Sequence, residues 1–138
     1  MKVAIVGAGG IGSCLGAALS RVADVTLICR GAHLAGIQEH GLRVIGPQGT
    51  TVHQVRATDR PSEVGAVDVI VTCVKLYDLD DVMRLSLPMM DAQTFVVPAQ
   101  NGVTAHEQIG AFVGPARVLG GMVFMSASMV QPGTVKLR

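Results

Sequence analysis

The stretch that decides the fold is residues 1–31, which read MKVAIVGAGGIGSCLGAALSRVADVTLICRG. A β-branched run, Lys2–Val6, leads into closely spaced glycines, and an alanine-rich segment follows them. A second apolar run, 25–29, has the character of another strand. The stretch therefore predicts a strand, a glycine loop, a helix over 10–20 and a second strand, in that order.

A secretion signal is the alternative interpretation of the same stretch. Lys2 would be its positive end and 3–19 its apolar segment. The glycines weaken this interpretation, because each costs about 1 kcal/mol inside a helix. The predicted strand that follows, in place of a polar segment, also favours the strand–loop–helix interpretation.

The composition favours a single domain without features for binding nucleic acid or membranes. The chain has 138 residues, of which 49% are hydrophobic, and its formal net charge is +1. It has no basic cluster of the kind that nucleic acid requires. It also has no uninterrupted apolar run of the ~18 residues that a membrane span requires. We expect no nucleic-acid partner and no membrane partner.

The cysteines indicate a reducing compartment. Cys14, Cys29 and Cys73 are widely spaced, odd in number and without a C-x-x-C pair. This usage is typical of buried reduced thiols rather than of a disulfide or a metal site. The sequence thus predicts a cytoplasmic protein that binds no metal.

The rest of the chain alternates predicted strands and helices. The predicted helices are 32–40, a turn at 61–64, 79–87 and 103–112. The predicted strands are 42–45 and 51–55, joined as a hairpin through the turn 46–49, then 67–74 as the most central strand, 94–97, 118–125 and 134–137. This alternation predicts an α/β fold over residues 1–138, with a Rossmann-type doubly wound, mostly parallel sheet.

The glycine loop Gly7-Ala8-Gly9-Gly10-Ile11-Gly12 is a G-x-G-x-x-G motif between a predicted strand and a predicted helix. Gly7 would permit the tight turn, Gly9 would let a pyrophosphate approach the backbone, and Gly12 would let the helix pack closely on the strand. The free N–H groups at the helix start would hold the phosphates. The alternative is a glycine turn that only packs the helix on the sheet.

The end of the second predicted strand indicates which dinucleotide binds. NAD-binding versions of the motif carry an acidic residue there, which binds the ribose 2′-OH. This chain has Arg30 instead, and no carboxylate follows until Glu39. An arginine suits a 2′-phosphate, so the sequence predicts NADP(H), although a solvated arginine at a strand end is the alternative.

Lys75 directly follows the predicted strand 67–74, and Asn101 comes just after the predicted strand 94–97. Ligands of open α/β sheets bind beyond the carboxyl ends of the strands. There, a lysine can bind a carboxylate or polarise a carbonyl, and an asparagine can hydrogen-bond a ribose or a substrate hydroxyl. Taken separately, each is better explained without a ligand, Lys75 as an exposed strand-end lysine and Asn101 as part of an Asn-Gly turn.

Taken together, these motifs resemble the ketopantoate reductase family, the NADPH-dependent 2-dehydropantoate 2-reductases. The resemblance covers essentially the whole chain, because several separate motifs fall in order. They are 2–12, Arg30, the hairpin 41–55, Val74-Lys75, Gln100-Asn101-Gly102, Gly120-Gly121 and 132–135.

The resemblance implies roles for these residues. The glycine loop, 7–12, would hold the pyrophosphate, Arg30 the 2′-phosphate, and Lys75 and Asn101 would face nicotinamide and substrate as cofactor-binding and catalytic residues. The implied reaction is reduction of the small 2-keto acid ketopantoate to pantoate, on the route to pantothenate and coenzyme A.

The same resemblance implies that catalysis needs more than residues 1–138. Members of the family are about twice this length, and their helical C-terminal domain supplies the principal catalytic lysine and a carboxylate that binds substrate. None of the four histidines can replace them, because His33, His40, His53 and His106 are expected in or beside helices and the hairpin, away from the strand ends. We therefore expect this chain to be the cofactor-binding domain, inactive by itself, with an apolar patch near 122–129 that a C-terminal domain or a second copy covers.

Two other interpretations stay open. One is a reductase of another 2-keto acid within the 6-phosphogluconate dehydrogenase-like superfamily. The other is a non-catalytic NADP-binding module, which the short chain favours and the retention of Lys75 and Asn101 disfavours.

Overall fold

The computed structural model describes all of residues 1–138, which form two sheets and four α-helices. In chain order the elements are β1 (Lys2–Val6), α1 (Gly10–Leu19), β2 (Asp24–Ile28), α2 (Gly31–His40), β3 (Leu42–Gly46), β4 (Gly49–His53), β5 (Arg56–Thr58), β6 (Val69–Thr72), α3 (Leu79–Ser86), β7 (Phe95–Pro98), α4 (Ala105–Val113), β8 (Ala127–Gln131) and β9 (Thr134–Leu137). None of the helices combines the length and the apolar character that crossing a membrane requires.

The larger sheet has five parallel strands in the order β5-β2-β1-β6-β7. The predicted Rossmann-type arrangement is confirmed, with the direction of winding reversing between β1 and β6. The prediction that 67–74 is the most central strand is wrong, because β1 occupies the centre and β6 lies beside it. A long apolar run indicates a strand that is buried on both faces. Both β1 and β6 are buried in this way, so the run does not show which of them is central.

Helices cover both faces of this sheet, and β1 contributes alternate side chains to the two resulting cores. Val3 and Ile5 pack in a cluster with Cys14 of α1 and Ile37 of α2. Ala4 and Val6 pack in a second cluster, whose helical members come from α3 and α4, among them Leu79, Met83 and Ile109. Because successive strand residues point to opposite faces, one short strand anchors both layers.

The smaller sheet has the order β4-β3-β9-β8 and packs on the outer side of α1 and α2. The predicted hairpin is confirmed as the antiparallel pair β3–β4, and β9 joins β3 in parallel. Leu42 and Val135, both fully buried, belong to the same core as α1 and α2. The two helices therefore lie between the two sheets.

The predicted strand 118–125 is wrong. Val118 forms an isolated parallel bridge to Val96, and the Leu119 N–H donates to the Val96 carbonyl at 2.9 Å. The next ladder bond would need an N–H from Pro98, which proline lacks. Pairing therefore stops at this bridge. The next strand along the chain is β8, which begins at Ala127. The sequence predicted neither β8 nor the short strand β5.

The three cysteines form no disulfide. Cys14 is buried as predicted, whereas Cys29 and Cys73 are only half-buried. Burial raises the pKa of the Cys73 thiol to about 12. Burial, with the nearby charge of Asp59, raises the pKa of Cys29 to about 11. All three thiols therefore stay protonated at neutral pH.

Candidate functional site

The predicted site residues lie side by side along one edge of the parallel sheet, which the carboxyl ends of the strands form. Arg30 follows β2, the glycine loop follows β1, Lys75 follows β6 and Asn101 follows β7. Because these four strands are adjacent in the order β2-β1-β6-β7, the four features line one continuous edge.

Backbone hydrogen bonds connect the strand ends at this edge. The N–H groups of Gly7 and Ala8 donate to the carbonyl of Ile28, at 3.1 and 3.2 Å, which ties the glycine loop to the end of β2. On the other side of β1, the Cys73 N–H donates to the Val6 carbonyl at 2.8 Å. The segment that carries Lys75 is therefore held beside the loop, at the point where the direction of winding reverses.

Gly7 and Gly12 allow the close packing of the loop. Gly7 has a φ of +90°, and a Cβ at this position would lie 2.5 Å from Cγ1 of Val74. A Cβ on Gly12 would lie 2.5 Å from the carbonyl oxygen of Gly7. The turn and the close helix–strand contact are as the motif predicts, and side chains at either position would force the loop open.

Gly9 differs from its neighbours because a Cβ on it would meet no atom within 4 Å. It precedes the first turn of α1, in which Gly10, Ile11 and Gly12 supply N–H groups that have no acceptor inside the helix. Open space beside a glycine, next to unpaired helix N–H groups, fits a pyrophosphate. The loop thus has the shape and the donors that a dinucleotide needs.

Gly10 serves a contact that the motif does not predict. A Cβ on Gly10 would lie 2.6 Å from the carbonyl oxygen of Ala127, in β8. The smaller sheet therefore packs directly on the start of α1. No signal in the sequence reveals this contact, because β8 is distant in sequence and was not predicted as a strand.

Arg30 and Lys75 are both exposed, and neither forms an ion pair with a carboxylate. Arg30 occupies the N-cap position of α2 with an extended backbone, and Lys75 caps the short helical turn 76–78 in the same way. Two cations without partners at one edge favour an anionic ligand, such as the phosphates of a nucleotide or a carboxylate.

Asn101 is exposed on a turn that Gln100 anchors. The Thr72 hydroxyl donates to Oε1 of Gln100 at 3.1 Å, and the Ala99 N–H donates to the Thr72 carbonyl at 2.9 Å. Nε2 of Gln100 is buried and has no hydrogen-bond partner, so one amide donor at this edge is free for a ligand acceptor. Sequence reasoning treated Gln100 only as part of a motif and missed this role.

A cavity of about 220 Å³ lies beside Asn101, at the end of β7. Its lining includes Gln100, Gly102 and His106, together with Gly120 and Gly121. The expectation that His106 lies away from the strand ends is therefore wrong. The helix α4 begins at this edge, so its second residue reaches the cavity.

His33 also lies near this edge, so the expectation that it lies away from the strand ends is wrong. The expectation holds for His40 and His53. The His33 ring is buried against α1, where Nε2 lies 3.1 Å from Oγ of Ser13, and Ser13 in turn bonds the glycine loop. His40 ends α2 beside Glu39, and His53 lies on β4. The spacing of the sequence could not reveal that α2 turns His33 towards α1.

The sheet order and the glycine loop at the switch point define a Rossmann-type domain. Residues 3–138 match the family described as ketopantoate reductase PanE/ApbA. The chain belongs to this family, an NAD(P)-dependent oxidoreductase family, and the resemblance inferred from the motifs is confirmed.

Relatives of this chain carry the corresponding name. It is 33% identical over 158 residues to the 2-dehydropantoate 2-reductase of Mesorhizobium japonicum and 34% identical over 139 residues to that of Pyrococcus horikoshii. These matches cover 99% and 100% of this chain, but 48% and 44% of the relatives. The chain thus spans about half of the length of the curated relatives it matches.

Solved structures agree with this assignment. The 2-dehydropantoate 2-reductase of Porphyromonas gingivalis W83 superposes with a TM-score of 0.94 at 34% identity, over 100% of this chain and 51% of that one. D-mandelate dehydrogenase, solved with NADH and anilino(oxo)acetate, superposes with a TM-score of 0.91 at 30% identity, over 100% of this chain and 45% of that one.

Proposed function

We propose that this chain is the NADP(H)-binding domain of a 2-dehydropantoate 2-reductase, which reduces ketopantoate to pantoate in pantothenate and coenzyme A biosynthesis. The observation that carries the proposal is the single edge that aligns Arg30, the glycine loop, Lys75 and Asn101 on adjacent strands. Membership of the family supports it. The free thiols of the three cysteines support a cytoplasmic location.

The preference for NADP(H) rests on the end of β2. The loop N–H groups of Gly7 and Ala8 bond the Ile28 carbonyl, so the end of β2, two residues before Arg30, lies beside the loop that would hold the pyrophosphate. Along the chain, no carboxylate follows β2 before Glu39, which faces His40 at 3.5 Å, and the Asp59 carboxylate near Cys29 comes from the end of β5. Arg30 therefore favours a 2′-phosphate, which it can bind through charge-assisted hydrogen bonds.

The residues of this chain hold and orient the reactants. NADPH, when bound, supplies the hydride that reduces the keto carbon. The first N–H groups of α1 bind the pyrophosphate, and Asn101 hydrogen-bonds a ribose or substrate hydroxyl. The Lys75 ammonium polarises the keto oxygen or binds the substrate carboxylate. Gln100, whose Nε2 is unpaired, supports the same end of the site.

The proton donor and the substrate-binding carboxylate belong, in this proposal, to the half of the relatives that this chain does not match. That half, or a second copy of this chain in a homodimer, would also cover exposed apolar side chains. Of these, Met122 and Phe124 are 78% and 92% exposed, and both lie just beyond the cavity-lining Gly120 and Gly121. Reading the gene beyond codon 138 tests this, because an open frame encoding a helical domain is expected. A stop codon there would favour a non-catalytic NADP-binding module.

Calorimetric titration of the chain with NADPH and with NADH tests the cofactor assignment. We expect tighter binding of NADPH, and no binding of either would overturn the proposal. Substrate identity is tested with the complete reductase and a panel of 2-keto acids, in which ketopantoate is expected to give the highest kcat/KM.

A second candidate is reduction of another 2-keto acid. The observation that favours it is the similarity to D-mandelate dehydrogenase, which was solved with NADH and anilino(oxo)acetate. Against it, Arg30 at the end of β2 favours the phosphorylated cofactor. In the same substrate panel, a preference for an aryl-substituted 2-keto acid, together with a preference for NADH, would support this candidate.

A further inference from the structure

His33 is a buried residue of α2 whose two ring nitrogens both have partners. Its Nδ1 accepts a hydrogen bond from the Gly133 N–H at 3.0 Å. A backbone N–H can only donate, so Nδ1 carries no proton and Nε2 carries the proton of the neutral ring. Burial lowers the pKa of this imidazole, which agrees with a neutral ring. The tautomer is therefore set by the turn between β8 and β9.

The proton on Nε2 fixes the direction of the next two bonds. Nε2 lies 3.1 Å from Oγ of Ser13, so the imidazole donates and the hydroxyl accepts. The single hydroxyl proton of Ser13 is then donated to the carbonyl oxygen of Ala8, at 3.0 Å. One directed chain of hydrogen bonds runs from Gly133 through His33 and Ser13 to Ala8, in the middle of the glycine loop.

The position of His33 is fixed as firmly as its tautomer. One turn further along α2, a Cβ on Gly36 would lie 2.9 Å from the backbone nitrogen of Gly133. Gly133 itself has a φ of +73°. Helix and turn are therefore in backbone contact beside the ring, and His33 is only 6% exposed. This packing, together with the bond from the Gly133 N–H, holds the ring beside Ser13.

The peptide between Ala8 and Gly9 is held from both ends. Its carbonyl accepts from Ser13, and its N–H donates to the Gly7 carbonyl at 2.8 Å. This peptide borders the open space at Gly9, where the proposed function puts the pyrophosphate. Without the Ser13 bond, only the Gly7 contact would orient it.

We propose that His33 is a positioning residue of the glycine loop: through Ser13 it fixes the Ala8–Gly9 peptide in the orientation that receives the pyrophosphate. The inference rests on the proposed function, because it assumes that the loop binds a dinucleotide. It also makes the β8–β9 turn a part of the cofactor site, although that turn touches no cofactor.

Three variants test the two hydrogen bonds of the His33 ring separately. In His33→Gln, the side-chain NH₂ lies where Nε2 was and can still donate to Ser13. In His33→Asn, the shorter side chain places its oxygen where Nδ1 was, so it can accept from Gly133 but does not reach Ser13. Ser13→Ala removes the link to Ala8 and leaves α2 unchanged. We expect Ser13→Ala and His33→Asn to weaken NADPH binding by about three- to tenfold, the range for one net hydrogen bond, and His33→Gln to bind within twofold of the unsubstituted chain.

Binding of 2′-AMP distinguishes positioning of the loop from a merely structural role. This ligand reaches Arg30 but has no pyrophosphate, so its affinity should be the same in all variants. A variant damaged in its overall structure would lose both ligands, whereas loss of NADPH affinity alone supports the inference. Ser13→Ala decides the question should a His33 variant fail to fold, since it deletes one oxygen from a buried site.

The outcomes also separate this inference from the proposed function. If the unsubstituted chain does not bind NADPH, the proposed function fails. If it does bind, and Ser13→Ala binds NADPH equally well, the assignment of His33 is overturned. A long-range ¹H–¹⁵N spectrum of the imidazole provides an independent check, since a ring protonated on Nδ1 would also contradict the inference.

Discussion

The hydroxyl of Thr72 donates a 3.1 Å hydrogen bond to Oε1 of Gln100 and so joins the ends of β6 and β7. Thr72 is fully buried, and the N–H of Ala99 bonds its carbonyl. Gln100 directly precedes Asn101. The place of Asn101 at this edge of the sheet is therefore set by a buried threonine on the neighbouring strand.

Thr72→Val should destabilise the fold by about 1–3 kcal/mol, because a buried amide then loses a partner. Thr26→Val is the matched control, since Thr26 is a buried threonine of β2 that forms no side-chain hydrogen bond. Urea denaturation of both variants gives the free energies of unfolding. Equal values would show that the bond to Gln100 contributes nothing.

Arg30→Ala should weaken NADPH binding by roughly tenfold to hundredfold and leave NADH binding nearly unchanged, because only NADPH carries the 2′-phosphate. Arg21→Ala is the control, since Arg21 is exposed just beyond α1, at the opposite end of that helix from the glycine loop. Calorimetric titration with each cofactor measures the ratio of affinities. An unchanged ratio in Arg30→Ala would remove Arg30 from the site.

Gly9→Val and Gly12→Val should fail for different reasons. A Cβ at Gly9 meets no protein atom within 4 Å, so the variant should fold with a nearly unchanged melting temperature and lose NADPH binding. The side chain at Gly12 collides with the Gly7 carbonyl, so that variant should melt at lower temperature. Retained NADPH binding by folded Gly9→Val would exclude a phosphate at this position.

The sequence predicted the features that depend on local pattern. The strand–loop–helix at the N-terminus, the hairpin 42–53 and the parallel sheet all follow from periodicity and glycine placement. It could not predict β8, because Ala127–Gln131 follows an irregular segment and has no alternation that marks a strand. Nor could it predict that Pro98 ends the pairing of Val118, since that requires knowing which strand lies alongside.

The parts of the site that were missed are all contacts between distant segments. His33 meets Gly133 across one hundred positions, and Gly10 packs on Ala127. Each partner is an ordinary residue in its own stretch of sequence. Only the packing of the smaller sheet on α1 and α2 brings these pairs together, and that packing was not encoded in any single motif.

His33 should make stability depend on pH. Its folded-state pKa lies below the ordinary value of about 6.5 because of burial. The unfolded chain then binds the proton more tightly than the folded one. The contribution of the neutral His33 to the free energy of unfolding is therefore complete above about pH 6.5, and it is lost as the pH drops towards the folded pKa. Denaturation between pH 5 and 8 measures this slope, which should be smaller in His33→Gln. An identical slope in that variant would assign the titration to another group.

The 138-residue chain should bind NADPH but should not reduce ketopantoate at an enzymatic rate. Hydride transfer needs cofactor, substrate and proton donor held together in a cleft from which water is excluded. In the proposed function, this domain supplies the cofactor platform and only one wall of that cleft, through Lys75 and Asn101. Both side chains are exposed, so Lys75 alone would be solvated and poorly oriented. The measurement is oxidation of NADPH with ketopantoate, first by this chain and then with the unmatched half of a relative added in trans. Turnover near that of a complete reductase by this chain alone would show that the proton donor lies within residues 1–138, with the half-buried His106 beside the cavity as the first residue to substitute.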